Sequence, residues 1–529
     1  MAMVTEISQD QQLQALLKQG FVMLSQGCIQ EAATYCKQVL KLKPDLVQGH
    51  FLVGLVALEA KDRKTALRAF GSVVELQPRH AAAWAQLAKL FISDGQASRA
   101  DAALAKAVEN NPADPLIQDL VGTIYSMIGD YDLAREWFER ATSQRIDYVP
   151  FMLNLANNLV YHGQLAEAEE IFNRIISIQP DTPQAHWALA GTRKAKSRVH
   201  LDQMKQLVGK KGQHPRVEAF YYYGIGKELE DLQQWDEAFE AFSKGARARR
   251  QTVEYDEAGE IEMFRFLQQN FTREWLEDGT EGHGSAAPVF VLGQPRTGTT
   301  LVERIISSHS QVTSAGELQQ FGLAIRRLSG HQDPRRFSKG FFEAAIGLSS
   351  KKVGGLYIES SARMAGSTPR FIDKLPQNYL HLPLILKALP NARIIHLTRN
   401  PMDACFASFK QLFADAYLHS YDLEEMARHH CRYRDLMDYW REQFPGRFYD
   451  ISYEETVQDL EPNVRGLLRY LELPWEDACL NFHQQKSAVS TASASQVREP
   501  AHTRSVDRWR KYEQQLRPMR KILISHGLA

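Results

Sequence analysis

The stretch VLGQPRTGTTLVERIISSHSQVTSAGE, Val291 to Glu317, decides how the second half of this chain is read. An apolar run, Pro288 to Leu292, meets Gly293, the chain turns, and Thr299 and Thr300 open a helix. That order predicts a strand, an anion-binding loop and a helix whose N-terminus adds partial positive charge. A nucleoside-triphosphate loop reads G-x-x-x-x-G-K-[ST]. Here Gly293, Gly298 and Thr300 hold their places, but Thr299 stands where the lysine belongs. Arg296, inside the loop, offers a guanidinium fork that suits phosphate oxygens. The plainer alternative is a glycine turn that binds nothing.

Working outward, three further apolar runs end in polar clusters. Arg370–Ile372 leads into Asp373, Lys374, Leu375 and Pro376; Ala392–Leu397 into Thr398, Arg399, Asn400 and Pro401. Arg447–Ile451 leads into Ser452, Tyr453, Glu454 and Glu455. Short strands alternating with helices predict an α/β domain with a central parallel sheet, whose ligands bind beyond the strands' carboxyl ends. Arg296, Lys374, Arg399 and Tyr453 are therefore expected to converge. No strand end delivers an acidic residue placed to hold magnesium, so no metal is expected.

The first half repeats itself. Pro44, Pro78 and Pro112 are 34 residues apart and Pro180 lies two periods on, with Ile146 in the missing step. Ala32, Ala66, Ala100, Ala134 and Ala168 keep the interval, as do Gly27, Gly95, Gly129 and Gly163, with Lys61 the exception. This is the period of the tetratricopeptide repeat, a helix–turn–helix unit that stacks into a solenoid. Small alanines let paired helices approach closely, and the prolines end each unit. Tyr221 to Arg247 reads as another pair out of phase, since Ala238 lies 70 residues past Ala168. We read it as a degenerate end repeat that caps the stack. The array is a structural spacer or a concave surface for a polypeptide partner; its sequence leaves both open.

Apolar residues make up 44% of the 529-residue chain and charged ones 24%, as in globular proteins. Lys+Arg and Asp+Glu are both 63, and the balance argues against bulk affinity for nucleic acid or anionic membrane. The five cysteines show no C-x-x-C spacing, the start MAMVTEISQDQQ lacks the pattern of a secretory leader, and no apolar run is long enough to span a bilayer. A cytoplasmic location is expected.

With PRTGTT, DKLP, TRNP, SYEE and SQVREP in this order, the span from about Pro288 to Trp509 resembles sulfotransferases that use 3′-phosphoadenosine-5′-phosphosulfate (PAPS). It is most similar to the branch holding protein-tyrosine sulfotransferases and bacterial proteins with tetratricopeptide repeats. The resemblance implies sulfuryl transfer to a hydroxyl without a metal. Arg296, Thr297, Gly298, Thr299 and Thr300 would hold the 5′-phosphosulfate, and Arg399 the 3′-phosphate. The serine that relatives place eight residues after that arginine is Ala407 here, with Ser408 one later. Tyr453 matches a cofactor-binding tyrosine, Ser493–His502, with Gln496, matches the loop closing over the nucleotide, and Arg508 stands where relatives have lysine. Glu317 matches the general base, and Lys374 and Ser493 the groups that steady the transferring sulfuryl and the departing oxygen.

Each has a plainer reading: Glu317 as a helix-start carboxylate, Lys374 as a surface lysine, Tyr453 as a core-edge ring, and Ser487–Gln496 as a linker. His309 is a rival base or a structural residue ending its helix. Relatives that sulfate tyrosine carry arginines two and six residues after the glutamate; here these are Gln319 and Leu323, with Arg326 and Arg327 following. The departure argues against an acidic tyrosine peptide and leaves a polypeptide, a carbohydrate or a small phenol as acceptor. A degenerate P-loop kinase or ATPase and a non-catalytic scaffold are the readings from other classes. The expected organisation is a repeat array over 1–210, a degenerate repeat, helical connector and linker over 211–286, and a sulfotransferase domain over 287–529.

Overall fold

The computed structural model describes residues 2–333, 335–491, 494 and 496–528, with side chains from residue 10. It divides into two compact units, Met1–Arg145 and Ile146–Ala529.

The first unit is built from antiparallel helix pairs, among them Ala81–Ser93 with Ala97–Glu109 and Pro115–Met127 with Tyr131–Gln144. Ala32, Ala66, Ala100 and Ala134 are buried at the close approaches. The inter-helix turns at Gly27, Gly95 and Gly129 take left-handed backbone, and Lys61 adopts it too, with φ 59°. A side chain there costs about 1–2 kcal/mol, so the repeat geometry overrides the residue. This is the repeat solenoid expected from the 34-residue period.

The second unit opens with a further pair, Val149–His162 and Leu165–Ile178. Pro215–Asp231 and Trp235–Arg250 form the degenerate pair, turning at Gln233 with φ 60° and burying Ala238. Its apolar face does not look outward. Tyr221, Tyr223 and Phe242 share one core with Phe406, Phe409, Tyr512 and Met519. Tyr223 donates its hydroxyl to the Phe409 carbonyl (3.1 Å), and Arg249 and Arg250 pair with Asp415 (2.9 Å) and Glu425 (2.8 Å).

Five parallel strands make the sheet: β1 (Pro288–Gly293), β2 (Val312–Ser314), β3 (Arg370–Lys374), β4 (Arg393–Thr398) and β5 (Tyr449–Ser452), in the order β2-β3-β1-β4-β5. β1 is central and wholly buried. Phe290 and Leu292 pack into one layer with Phe321 and Tyr357, while Val289 and Val291 face Val302 and Ile305. The register pairs Val291 with Lys374 and Gly293 with Leu397, which brings the loop, Lys374 and Arg399 to one edge. β2 went unread in the sequence; at three residues on the sheet's edge it carries no periodic signal. Among the described residues no helix is long and apolar enough to cross a membrane.

Because Phe406, Phe409 and Tyr512 are covered by the helices of 215–250, a fragment beginning at Pro288 will expose them. We expect residues 146–529 to melt in one cooperative transition by circular dichroism and residues 288–529 to show none; equal transitions would refute the shared core.

Asp373, fully buried in β3, accepts a hydrogen bond from the Tyr357 hydroxyl (3.0 Å), yet burial pushes its carboxyl up to about 7. The folded chain then holds a proton that the unfolded chain has released, so stability falls as pH rises from about 4 to 7, by at most about 1.4 kcal/mol per unit. Asp373→Asn should flatten that slope in urea titrations at pH 5 and 7; an unchanged slope would show that Asp373 is ionised throughout.

Candidate functional site

The loop after β1 is fixed from within and from both sides. Gly298 has φ 100°, and a Cβ there would lie 2.6 Å from the Tyr453 ring, so only glycine fits. Arg296 takes left-handed backbone, φ 65°, a strained position for its side chain. The Thr297 hydroxyl donates to the Gln294 carbonyl (2.8 Å), and Thr299 and Thr300 begin the helix Thr299–Ser307. Arg296 donates to Gln496 Oε1 (3.1 Å), linking the loop to the last segment of the chain.

Arg399 ties these parts together. Its terminal nitrogens donate to the Arg296 and Ser505 carbonyls (both 2.6 Å), and its guanidinium lies 4.6 Å from the centre of the Tyr453 ring. Its Nε is buried with no partner among the described residues. Burial, with Arg399 alongside, pushes the Arg296 guanidinium down to about 10. Asn400 caps the helix Pro401–Phe409, and Asp403 on that helix accepts the backbone amides of Asp507 (2.7 Å) and Trp509 (3.0 Å).

On this helix Ala407 faces the cavity. Ser408, turned about 100° onward, is fully buried and sends its hydroxyl to the Ala404 carbonyl (2.9 Å), with the Pro295 carbonyl at 3.2 Å. It props the loop from beneath and does not line the space above it.

A cavity of about 380 Å³ is lined by Arg296, Gly298, Thr300, Arg399, Tyr453, Gln496 and Arg508. Thr297 and Thr299 are buried behind its wall. Three lining groups had no signal strong enough to single them out in the sequence: Lys410, Lys227 and Glu230. Glu230, on the degenerate repeat, accepts from Lys410 (2.5 Å), the Tyr512 hydroxyl (2.7 Å) and Arg508 (3.1 Å). Burial opposes its charge, but Lys410 and Arg508 hold the carboxyl below its usual range. Burial, then the neighbouring Arg508 and Arg296, hold the Lys410 ammonium below the usual lysine value despite Glu230.

Beside β1, Lys374 ends β3 with only 1% of its side chain exposed, bonded to Glu317 Oε1 (2.5 Å) and 3.8 Å from Glu303. Burial weighs against its charge, yet Glu317 and Glu303 raise its pKa above normal. Burial raises the Glu303 carboxyl too, whereas the Glu317 side chain is 42% exposed and open to an incoming group. Lys374 is thus no surface lysine. His309 lies elsewhere: its Nε2 donates to the Pro474 carbonyl (3.0 Å) and its Nδ1 accepts the Gln311 amide (3.1 Å). Arg326 spends its guanidinium on the carbonyls of Asp333, Arg335 and Arg336.

Ser493 lies outside the described residues. The segment around it is anchored at both ends: Arg498 donates to the carbonyls of Gln485 (2.7 Å), Ser487 (2.9 Å) and Tyr161 (2.9 Å), and the Val489 amide also donates to Tyr161 (2.8 Å). Arg304, from the loop's helix, donates to Ser487 as well.

The model of the sulfotransferase family matches residues 288–477, and that of the tetratricopeptide repeat matches 57–124 and 129–191. An uncharacterized protein of Aquifex aeolicus is 31% identical over 401 residues, 74% of this chain and 52% of its own, so this chain spans about half that relative's length. A putative protein-tyrosine sulfotransferase of Caenorhabditis briggsae is 24% identical over 226 residues, 42% of this chain and 80% of its own. The sulfotransferase domain of the Synechococcus PCC 7002 olefin synthase aligns at 17% identity and a TM-score of 0.34, covering 47% of this chain and 98% of that one. Residues 288–477 are a sulfotransferase-family domain, carried in one chain behind tetratricopeptide repeats.

Proposed function

We propose that this chain moves the sulfuryl group of PAPS to a hydroxyl acceptor. The observation that carries the reading is the convergence of Arg296, Arg399, Lys410 and Arg508 on one cavity beside a helix N-terminus. A ligand with separate anionic groups suits that spread of charge better than a polyphosphate clamped by magnesium. The buried Nε atoms of Arg399 and Arg508, without a partner among the described residues, are donors in want of an acceptor, which supports the fit.

The bound donor would supply a sulfuryl group on an anhydride oxygen, where negative charge grows as the bond to sulfur breaks. Arg296 and the backbone through Thr300 would bind the 5′ end, with Tyr453 against the loop. Lys374 would steady the growing charge with Ser493, and Glu317 would take the acceptor's proton. One Glu317 oxygen is occupied by the Lys374 ammonium (2.5 Å). Lys374 would turn from Glu317 toward the departing oxygen as the acceptor's proton is taken, with Glu303 3.8 Å behind it. This ties the readiness of the base to the presence of the donor.

A polypeptide held by the repeats is the acceptor class we favour, because the closing segment is bonded to Tyr161, at the end of a repeat helix. The cytoplasm is the proposed compartment, in line with five free cysteines. The division at 210 and 286 is proposed as one of sequence families, within which the cofactor site draws on residues from both sides of 286.

The desulfated product, PAP, should bind without magnesium and far more tightly than ATP in calorimetry; magnesium-dependent ATP binding without PAP binding would overturn the proposal. Glu317→Gln should lower kcat roughly 10²–10⁴-fold and leave the PAP Kd within about twofold, and full turnover on the true acceptor would remove Glu317 as the base. Lys374→Ala should lower kcat more than it weakens PAP; equal losses would place it in ground-state binding. Arg399→Ala should weaken both PAP and adenosine 5′-monophosphate, since it also releases the loop carbonyl of Arg296. A loss confined to PAP would show that the loop stands without it.

A further inference from the structure

We infer that Lys410, held in place by Glu230 from the degenerate repeat, is the residue that reads the 3′-phosphate in the cofactor cavity; this rests on the cofactor proposed above. The position that resemblance assigns to a phosphate-binding hydroxyl is Ala407, which has none. Ser408 spends its hydroxyl beneath the loop, and both terminal nitrogens of Arg399 are committed to backbone carbonyls. Lys410 stands three residues past Ala407, on the same face of the same helix end, and lines the same cavity. It is the nearest lysine in sequence to the vacated role, and its ammonium has one acid partner among the described residues, Glu230.

Its placement is built. The ammonium is bonded to Glu230 (2.5 Å) and lies 4.8 Å from the centre of the Phe406 ring and 5.9 Å from that of Phe242. Glu230 is itself 9% exposed, and its other partners, Arg508 and Tyr512, come from the far end of the chain. One carboxylate thus fixes two cations on one wall. The other lining acids are Asp403, bonded to two backbone amides, Asp231, paired with Lys227 (2.7 Å), and Glu499, paired with Arg504; against them and Glu230 stand Lys227, Arg296, Arg399, Lys410 and Arg508, so the wall keeps a small surplus of positive charge. A phosphate dianion would balance it. Glu230 touches no ligand in this scheme; it is a positioning residue, and it lies outside the span matched by the sulfotransferase family. The repeats would then be part of the cofactor site and more than a platform for the acceptor.

The test is calorimetry on the full chain with PAP and with adenosine 5′-monophosphate, which lacks the 3′-phosphate. Lys410→Met keeps the side chain's length and should reduce the preference for PAP about 10- to 150-fold, the range of one charge-assisted contact, with the monophosphate within about twofold. Lys410→Arg should retain most of the preference. Glu230→Gln should lose part of it, and the double variant should lose less than the product of the two single losses, because Glu230 acts through Lys410. Equal loss of both ligands in Lys410→Met would overturn the inference, as would a preference that survives it; thermal melts of each variant would show whether folding is at fault. Failure of the parent chain to bind PAP would instead overturn the cofactor reading.

Discussion

Arg399 holds together segments more than a hundred residues apart, and the site depends on it. It reaches the Arg296 carbonyl in the loop, the Ser505 carbonyl in the last stretch of the chain and the Tyr453 ring after β5. The parallel sheet makes this possible. With β1 flanked by β3 and β4 in register, every strand delivers its last residues to the same edge. A guanidinium at the end of β4 then faces the loop after β1 by topology alone. Its hydrogen bonds go to neutral carbonyls, and through them Arg399 braces the loop.

The same edge explains the strain and the burial. Arg296 sits in left-handed backbone and Gly298 presses on Tyr453, a loop conformation that local preference opposes. It persists because Arg399, Ser408 and the Thr297 hydroxyl each hold a carbonyl of the turn. Two of these supports come from outside the loop and one from within it, and Arg296, Gly298 and Thr300 are left lining the cavity. Strain of this kind is a feature of binding sites.

Reading the sequence recovered what is periodic or what ends a strand. The 34-residue interval gave the repeats, and the order apolar run, glycine, threonines gave the loop. The alanine and glycine positions were legible because each has one steric reason. Lys61 and Gln233 broke the glycine pattern and took the same left-handed turn, since stacking of the helix pairs decides the backbone there. β2 was hidden by its length, although the quoted stretch contained it. Glu230 was not legible: it lies 180 residues from Lys410, on a helix whose pattern reads as an ordinary amphipathic repeat. Only the fold of that repeat onto Phe406 and Tyr512 makes it a site residue.

The Lys374 cluster shows what a buried cation gains from two neighbouring carboxylates. A lone buried ammonium would lose its proton, because desolvation costs several kcal/mol. Glu317 and Glu303 prevent this, one from the open side and one from behind. Their roles cannot be the same. Glu303 is bonded to the Ser314 hydroxyl (2.5 Å) and sealed in, so it cannot follow an acceptor, while Glu317 is partly open to solvent. If Lys374 turns to a departing oxygen, the carboxylate it leaves is the exposed one, and the one it keeps is the buried one. The asymmetry of burial leaves Glu317 as the carboxylate of the two that an incoming group could reach.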